Sequence, residues 1–244
     1  MPPNRERHRE LARELRRYAN RLREYLERLG LAHVPRRARL RGRAFDRSRA
    51  QAVVLRGDPR MLIAREMVID TDLFIGVVVD CSGSMSVGQR MEVAHRFGVL
   101  IAEACAPLAG VDARFFGFTD SIIYDAGDQH HCAVTSLVAG GGNNDAAGLY
   151  HAAQVAAASN RKAKLLVMIS DGLPTECSVG ALRGLVNKLG RKGLVCAQVA
   201  VRALAEECFP HYVVIEDDVD IGVGAVVLHG SRIKARAILQ PGVV

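Results

Sequence analysis

The chain has no tryptophan, and its first sixty residues contain no lysine. No apolar stretch approaches the roughly 20 residues that a membrane-spanning helix needs. The N-terminus is a run of arginine and glutamate, without the apolar core of a secretory signal. The six cysteines, at 81, 105, 132, 177, 196 and 208, form no C-x-x-C pair. Scattered through apolar segments, they predict reduced thiols and a cytoplasmic location. His130-His131-Cys132 has metal-ligand residue types in one run. A zinc site needs three or four ligands on a fixed framework, so this run reads as an exposed loop.

Arginine is what the chain has in excess. Residues 1–60 hold 18 Arg against 7 acidic residues, a net of +11; the whole chain is +7, so residues 61–244 carry −4. The sequence therefore divides into a basic helical arm and connector, 1–60, and a mildly acidic α/β domain, 61–244. In the arm, Leu11, Leu15, Tyr18, Leu22, Tyr25, Leu26 and Leu29 mark one apolar stripe on a helix from about residue 6 to 29, with Gly30 placed to stop it. Such a stripe needs a partner: the globular domain, a second copy of the chain, or another protein. Residues 31–60, rich in Arg with Pro35, Gly42, Gly57 and Pro59, read as a connector. The arginines could bind nucleic acid, but glutamates interleave them and no base-reading motif is present, so an acidic protein partner, or the chain's own acidic domain, is the better-matched surface.

From about residue 61 the pattern becomes strand–helix alternation, the mark of a doubly wound parallel sheet. Leu73–Val79 is an unbroken apolar run and reads as a buried parallel strand. A helix follows over 89–107, then Ala113–Phe118 and Ser121–Tyr124 as an antiparallel edge hairpin, a loop over 125–143, a helix over 145–158, strand Leu165–Ile169, a helix over 179–190, and strands over 194–201 and 211–215. A short helix near 203–208 and a helical stretch within 217–239 complete the expectation.

The informative segment is Asp80-Cys81-Ser82-Gly83-Ser84, at the carboxyl end of the first strand. In open α/β sheets that rim is where ligands bind. One carboxylate and two hydroxyls spaced D-x-S-x-S offer only oxygen donors, which suit Mg²⁺, with Ca²⁺ or Mn²⁺ as alternatives. Two further segments should reach the same rim: Asn143-Asn144-Asp145, opening a helix, and Asp171, after the strand Leu165–Ile169. The competing reading of Asn143 and Asp145 is simple helix capping.

These segments resemble the metal-ion-dependent adhesion site of von Willebrand factor A (vWA) domains over residues 65–215. D-x-S-x-S is complete at 80–84, and the later strand-end acid followed by glycine is Asp171-Gly172. The middle element departs: Asn143 stands where the family places a ligating threonine, and Asp145 lies two residues on. The resemblance is greatest to bacterial members of the cobaltochelatase T-subunit or MoxR-associated kind, on Gly42-Arg43-Ala44-Phe45-Asp46 and Asn143-Asn144-Asp145. It implies a site built from Asp80, Ser82, Ser84, Asn143, Asp145 and Asp171. It also implies a protein partner that offers a carboxylate, with an AAA+ ATPase as its setting, and no catalysis by the chain itself. The alternative is a Mg²⁺-dependent phosphatase-type hydrolase, but such enzymes need D-x-D where this chain has Ser82, and a G-x-S-x-G nucleophile turn is missing.

Overall fold

The computed structural model describes residues 1–29, 31–41, 44–49, 55–69, 71–171, 175–201, 206–215, 220–221, 231–233 and 238–239. By its contacts the chain falls into two units, Met1–Arg23 with Asp72–Val244, and Glu24–Thr71.

The larger unit is a doubly wound α/β sheet. Its elements in chain order are β4 (Leu73–Asp80), α2 (Arg90–Cys105), β5 (Val111–Phe118), β6 (Ile123–Asp128), α3 (Asp145–Ala158), β7 (Ala163–Ser170), α4 (Val179–Arg191), β8 (Leu194–Val201) and β9 (His211–Ile215). The seven strands run in the order β11-β9-β8-β7-β4-β5-β6, where β11 is Ser231–Ile233. All pairings are parallel except β5 with β6, so the hairpin forms an antiparallel edge as the sequence predicts. This is a Rossmann/vWA-like topology. The chain leaves central β4 toward β5 and returns on its other side at β7, so the carboxyl ends of β4 and β7 meet where the winding reverses. That switch point is where such sheets place ligands.

One face of the sheet buries Phe74, Val78, Phe116, Phe118, Leu166 and Met168 against Leu149, Ala152 and Ala156 of α3 and Leu182, Val186 and Leu189 of α4. Helix α3 approaches closely at Gly148, where a Cβ would lie 2.7 Å from the Phe118 ring. The first helix, α1 (Arg5–Leu29), buries Leu11, Leu15 and Ala19, and its polar residues tie it to α2. Arg7 bonds Glu92 at 2.6 Å, His8 bonds Glu103 at 2.9 Å, and Glu14 accepts from Arg96 at 2.8 Å. The α/β unit is therefore the partner of this part of the stripe. Tyr18, Tyr25 and Leu29, counted in the stripe from their spacing, are exposed.

The sequence expectation fails in the arginine-rich segment. Residues 31–60 are not a bare connector: β1 (Leu31–Arg39) and β2 (Ala44–Phe45) flank β3 (Leu62–Ile69) in an antiparallel sheet, with Leu31 opposite Ile69 and Phe45 opposite Leu62. Pairing with a distant strand overrides the linker-like composition of Arg and Pro. The expected C-terminal helix is also corrected. The described residues there are strands: Asp220–Ile221 (β10) pairs in parallel with Ile238–Leu239 (β12), and β11 joins the main sheet. Residues 206–208, at the end of the expected short helix, are not helical. Gly30, Gly42, Arg43, Gly172 and 202–205 lie outside the described residues.

Candidate functional site

Asp80 is the last residue of β4 and is fully buried. Its Oδ1 accepts from the Ser82 backbone N–H at 2.7 Å, which turns the chain sharply out of the strand. Its Oδ2 accepts from Asn143 Nδ2 at 2.9 Å. The Ser82 and Ser84 hydroxyls are 2.9 Å apart, and Ser84 Oγ donates to Asp171 Oδ1 at 2.9 Å. Asp80, Ser82, Ser84, Asn143 and Asp171 thus form one hydrogen-bonded chain across the ends of β4 and β7. Asp145 joins them electrostatically, since its carboxyl feels the charges of both Asp80 and Asp171.

The loop before α3 is locked onto this turn by its own backbone. Gly83 N–H donates to Gly141 O at 3.0 Å, and Gly140 N–H donates to Cys81 O at 2.7 Å. Gly142 N–H donates to Asp120 Oδ1 at 3.1 Å. Gly141 has φ +88°, the left-handed region that favours glycine, and a Cβ on Gly142 would fall 2.9 Å from the Asp120 Cβ. On the far side, Glu176 N–H and Thr175 Oγ1 donate to Asn143 O at 3.1 and 3.3 Å. Asn143 is held between two strand-end loops.

Asn144 occupies the N-cap position of α3 itself, and its side chain accepts from Ala147 N at 3.1 Å. Asn143 precedes the cap, and the Asp145 carboxyl, in the first turn of α3, accepts from its own backbone N–H and from the Asn143 side chain. Both are buried, and Asn143 Oδ1 and Asp145 Oδ2 have no hydrogen-bond partner among the described residues. Burial first, and then the charge of Asp80, pushes the Asp145 carboxyl up to about 7. Burial, opposed by bonds from Ser82 and Asn143, holds Asp80 up at about 6. Orphaned oxygens beside mutually repelling buried acids are the arrangement that a cation would relieve.

The donor set is mixed. Among the described residues no three His, Cys, Asp or Glu side chains are grouped to hold a metal ion by themselves. A cation here would need the Ser82, Ser84 and Asn143 oxygens as well as the carboxylates. Those oxygen-only donors fit a hard divalent ion and give no soft sulfur or imidazole ligand. Cys81, inside the motif, is fully buried, and burial lifts its thiol to about 12. It packs under the turn as an inert group. Likewise Cys132 is buried while His130 and His131 are exposed, so that run does not converge on one ion.

Arg90 is the site residue that sequence reasoning missed. Its Nη1 donates to Asp171 Oδ2 and to Ser84 O, the latter at 2.9 Å. Only its position shortly after the motif hinted at it. The fold-back of its side chain from the first residue of α2 is a tertiary fact.

No family model matches the chain, and no curated protein matches it in sequence. Solved structures do resemble it. A von Willebrand factor type A protein from Catenulispora acidiphila is 15% identical, covering 64% of this chain and 41% of that one, with a TM-score of 0.49. The three N-terminal domains of the type V pili tip protein Mfa5 from Porphyromonas gingivalis are 22% identical over 46% of this chain and 22% of theirs, at a TM-score of 0.42. The PilB minor pilin from Streptococcus sanguinis is 13% identical over 58% of this chain and 54% of its own, at 0.46. The chain thus matches only part of the length of each of these proteins.

The cytoplasmic location expected from the sequence is contradicted by these comparisons, in which pilus tip, minor pilin and pilus adhesin proteins recur. The physical reason is that unpaired cysteines report packing, not compartment. Five of the six are buried, with no thiol partner.

Proposed function

We propose that the chain is a protein-interaction module that binds one divalent cation, Mg²⁺ in preference to Ca²⁺ or Mn²⁺, through Asp80, Ser82, Ser84, Asn143, Asp145 and Asp171. The observation that carries this reading is the pair of buried, uncompensated oxygens, Asn143 Oδ1 and Asp145 Oδ2, beside Asp80 at the switch point of the sheet. When bound, the ion would supply an electrophilic centre for a carboxylate from a protein partner. The chain's own residues fix the donors: Asp80 orients the motif turn, Asn143 bridges to the next loop, and Ser84 ties Asp171 to the first strand. An AAA+ ATPase of the chelatase or chaperone-remodelling kind is the finer partner assignment. It rests on the sequence resemblance at 42–46 and 143–145.

A hydrolase is the second reading, and the site does not favour it. Among the described residues, the hydroxyls of Ser82 and Ser84 have each other and Asp171 as side-chain partners, with no imidazole to act as base. Thermal melting of the full chain with EDTA and with Mg²⁺, for wild type and Asp80→Ala, is the test. Saturation at a hundredfold excess over Kd should stabilise the wild type by about 2.7 kcal/mol and the variant hardly at all. Equal shifts in both would remove the site, and Mg²⁺-dependent turnover of a phosphate ester would replace the interaction reading with the enzymatic one.

A further inference from the structure

Arg90 breaks a local rule. It is the first residue of α2, where the helix dipole disfavours a cation. Its side chain is turned back and largely buried, with Nε left without a hydrogen-bond partner among the described residues. Burying a guanidinium with an unmet donor at the positive end of a helix is costly, and among the described residues it is compensated by Asp171 Oδ2 and the Ser84 carbonyl. Such a local conflict is characteristic of functional positions.

From this juxtaposition we infer that Arg90 is a built-in competitor of the divalent cation, holding Asp171 and thereby setting how weakly the site takes up metal. The inference rests on the cation reading above. Among the described residues, Asp171 is the one carboxylate of the three that already has a positive partner, whereas Asp80 and Asp145 have none. The two oxygens of Asp171 are divided: Oδ1 is tied to the motif serine and Oδ2 to Arg90. A divalent ion drawn to the Ser82–Ser84 turn must share Asp171 with a fixed positive charge or displace it. Two cations at one carboxylate repel strongly enough, even under water-like screening, to weaken metal binding about tenfold. An affinity held down in this way makes occupancy responsive to anything that supplies further negative charge, such as an approaching acidic side chain of a partner.

The opposite role is equally definite. If Arg90 merely buttressed the Asp171 rotamer, its loss would let the ligand swing away and metal binding would fall. Calorimetric titration of MgCl₂ and MnCl₂ into chelator-treated full-length wild type, Arg90→Gln and Arg90→Lys distinguishes the two. Competition predicts that R90Q binds metal about tenfold more tightly than wild type. R90K keeps the charge without the planar fork, so it should stay within about threefold of wild type. An unchanged or weakened affinity in R90Q overturns the inference while leaving the cation reading in place. Binding by R90Q alone, with none by wild type, supports it in its strongest form. No heat from any of the three proteins overturns the cation reading and this inference with it. Should R90Q fail to fold by circular dichroism, R90K decides: an affinity about tenfold away from wild type would show that geometry, not charge, is what Arg90 supplies.

Discussion

In chelator-treated protein, Asp145→Asn is expected to raise the melting temperature, the reverse of what usually follows when a buried carboxylate is removed. The side chain is 1% exposed and its Oδ2 has no partner among the described residues. Burial and then the charge of Asp80 lift the acid from an ordinary 3.8 to about 7. A tenfold change in proton affinity is worth about 1.4 kcal/mol, so the ionised group costs on the order of 4 kcal/mol. The folded value lies above the unfolded one. The stability contribution is therefore fully present below about pH 4 and lost as pH rises through about 7, beyond which the cost is constant. Asparagine has no charge to desolvate, but a buried amide short of one partner costs about 1–3 kcal/mol. The net gain at pH 8 is then about 1–3 kcal/mol, a rise of roughly 2–10 °C for a chain of this size. At pH 5 the folded acid is protonated but the unfolded one, near 3.8, is ionised, so the cost has fallen to about 1.6 kcal/mol and the gain should shrink toward zero. Differential scanning calorimetry at both pH values, in EDTA and in Mg²⁺, reads all four states. An Asp145→Asn chain that melts below wild type in EDTA at pH 8 would refute the reasoning, since the carboxylate would then have to be satisfied by its surroundings.

Gly148→Ala should destabilise: the new methyl would meet the Phe118 ring at 2.7 Å, an overpacking cost of about 1–3 kcal/mol set against about 1 kcal/mol of helix propensity, measurable by urea unfolding. Leu11→Ala should cost about 2–5 kcal/mol in the same assay, because Leu11 is fully buried; a cost under about 0.5 kcal/mol would mean that α1 is not part of the α/β core. Cys81 should resist iodoacetamide at pH 8 in the native chain, while the partly buried Cys177, whose thiol is also raised by burial, should react faster, as mass spectrometry of the digested protein can show; rapid labelling of Cys81 would contradict its burial and its thiol lifted to about 12.

The parallel strands were legible because each is a short apolar run ending in a turn signal, and each helix between them carries one apolar face. β4, β9 and α3 fall within a residue of their expected bounds. That Asp80, Ser84, Asn143 and Asp171 meet was legible for the same reason: strand order alone brings their positions to one rim. What stayed hidden depends on partners remote in sequence. β1 carries arginines and a proline and looks like linker until Leu62–Ile69 pairs with it. The C-terminal strands are two or three residues long, below the length at which alternation can be seen. Arg90 is spaced like any exposed helical arginine, and only the path of its side chain makes it part of the site.

Charge balance links the two departures of this chain from the adhesion-type pattern. Asp145 adds a carboxylate where the family's threonines are neutral, and Arg90 adds a guanidinium on the facing helix. Fully ionised, Asp80, Asp145 and Asp171 carry three negative charges, and Arg90 leaves the cluster at −2, the charge that one divalent ion neutralises. In the metal-free chain burial first, and then the charge of Asp171 on Asp80 and of Asp80 on Asp145, raises these carboxyls to about 6 and about 7, so that protons relieve part of the same excess. A divalent ion bound here would therefore compete with protons for one pair of carboxylates and with Arg90 for the third. Affinity for hard cations follows ligand charge. An anionic site with a tethered counter-ion should accordingly hold its metal more tightly than a neutral site, and draw less strongly on a partner's carboxylate. Restoring the neutral pattern by Asn143→Thr with Asp145→Thr should reverse both: weaker Mg²⁺ binding by calorimetry, and stronger retention of an acidic peptide by the Mg²⁺-loaded chain. If the double variant binds Mg²⁺ as tightly as wild type, Asp145 is not a ligand, and the balance has to be struck by Asp80 and Asp171 alone.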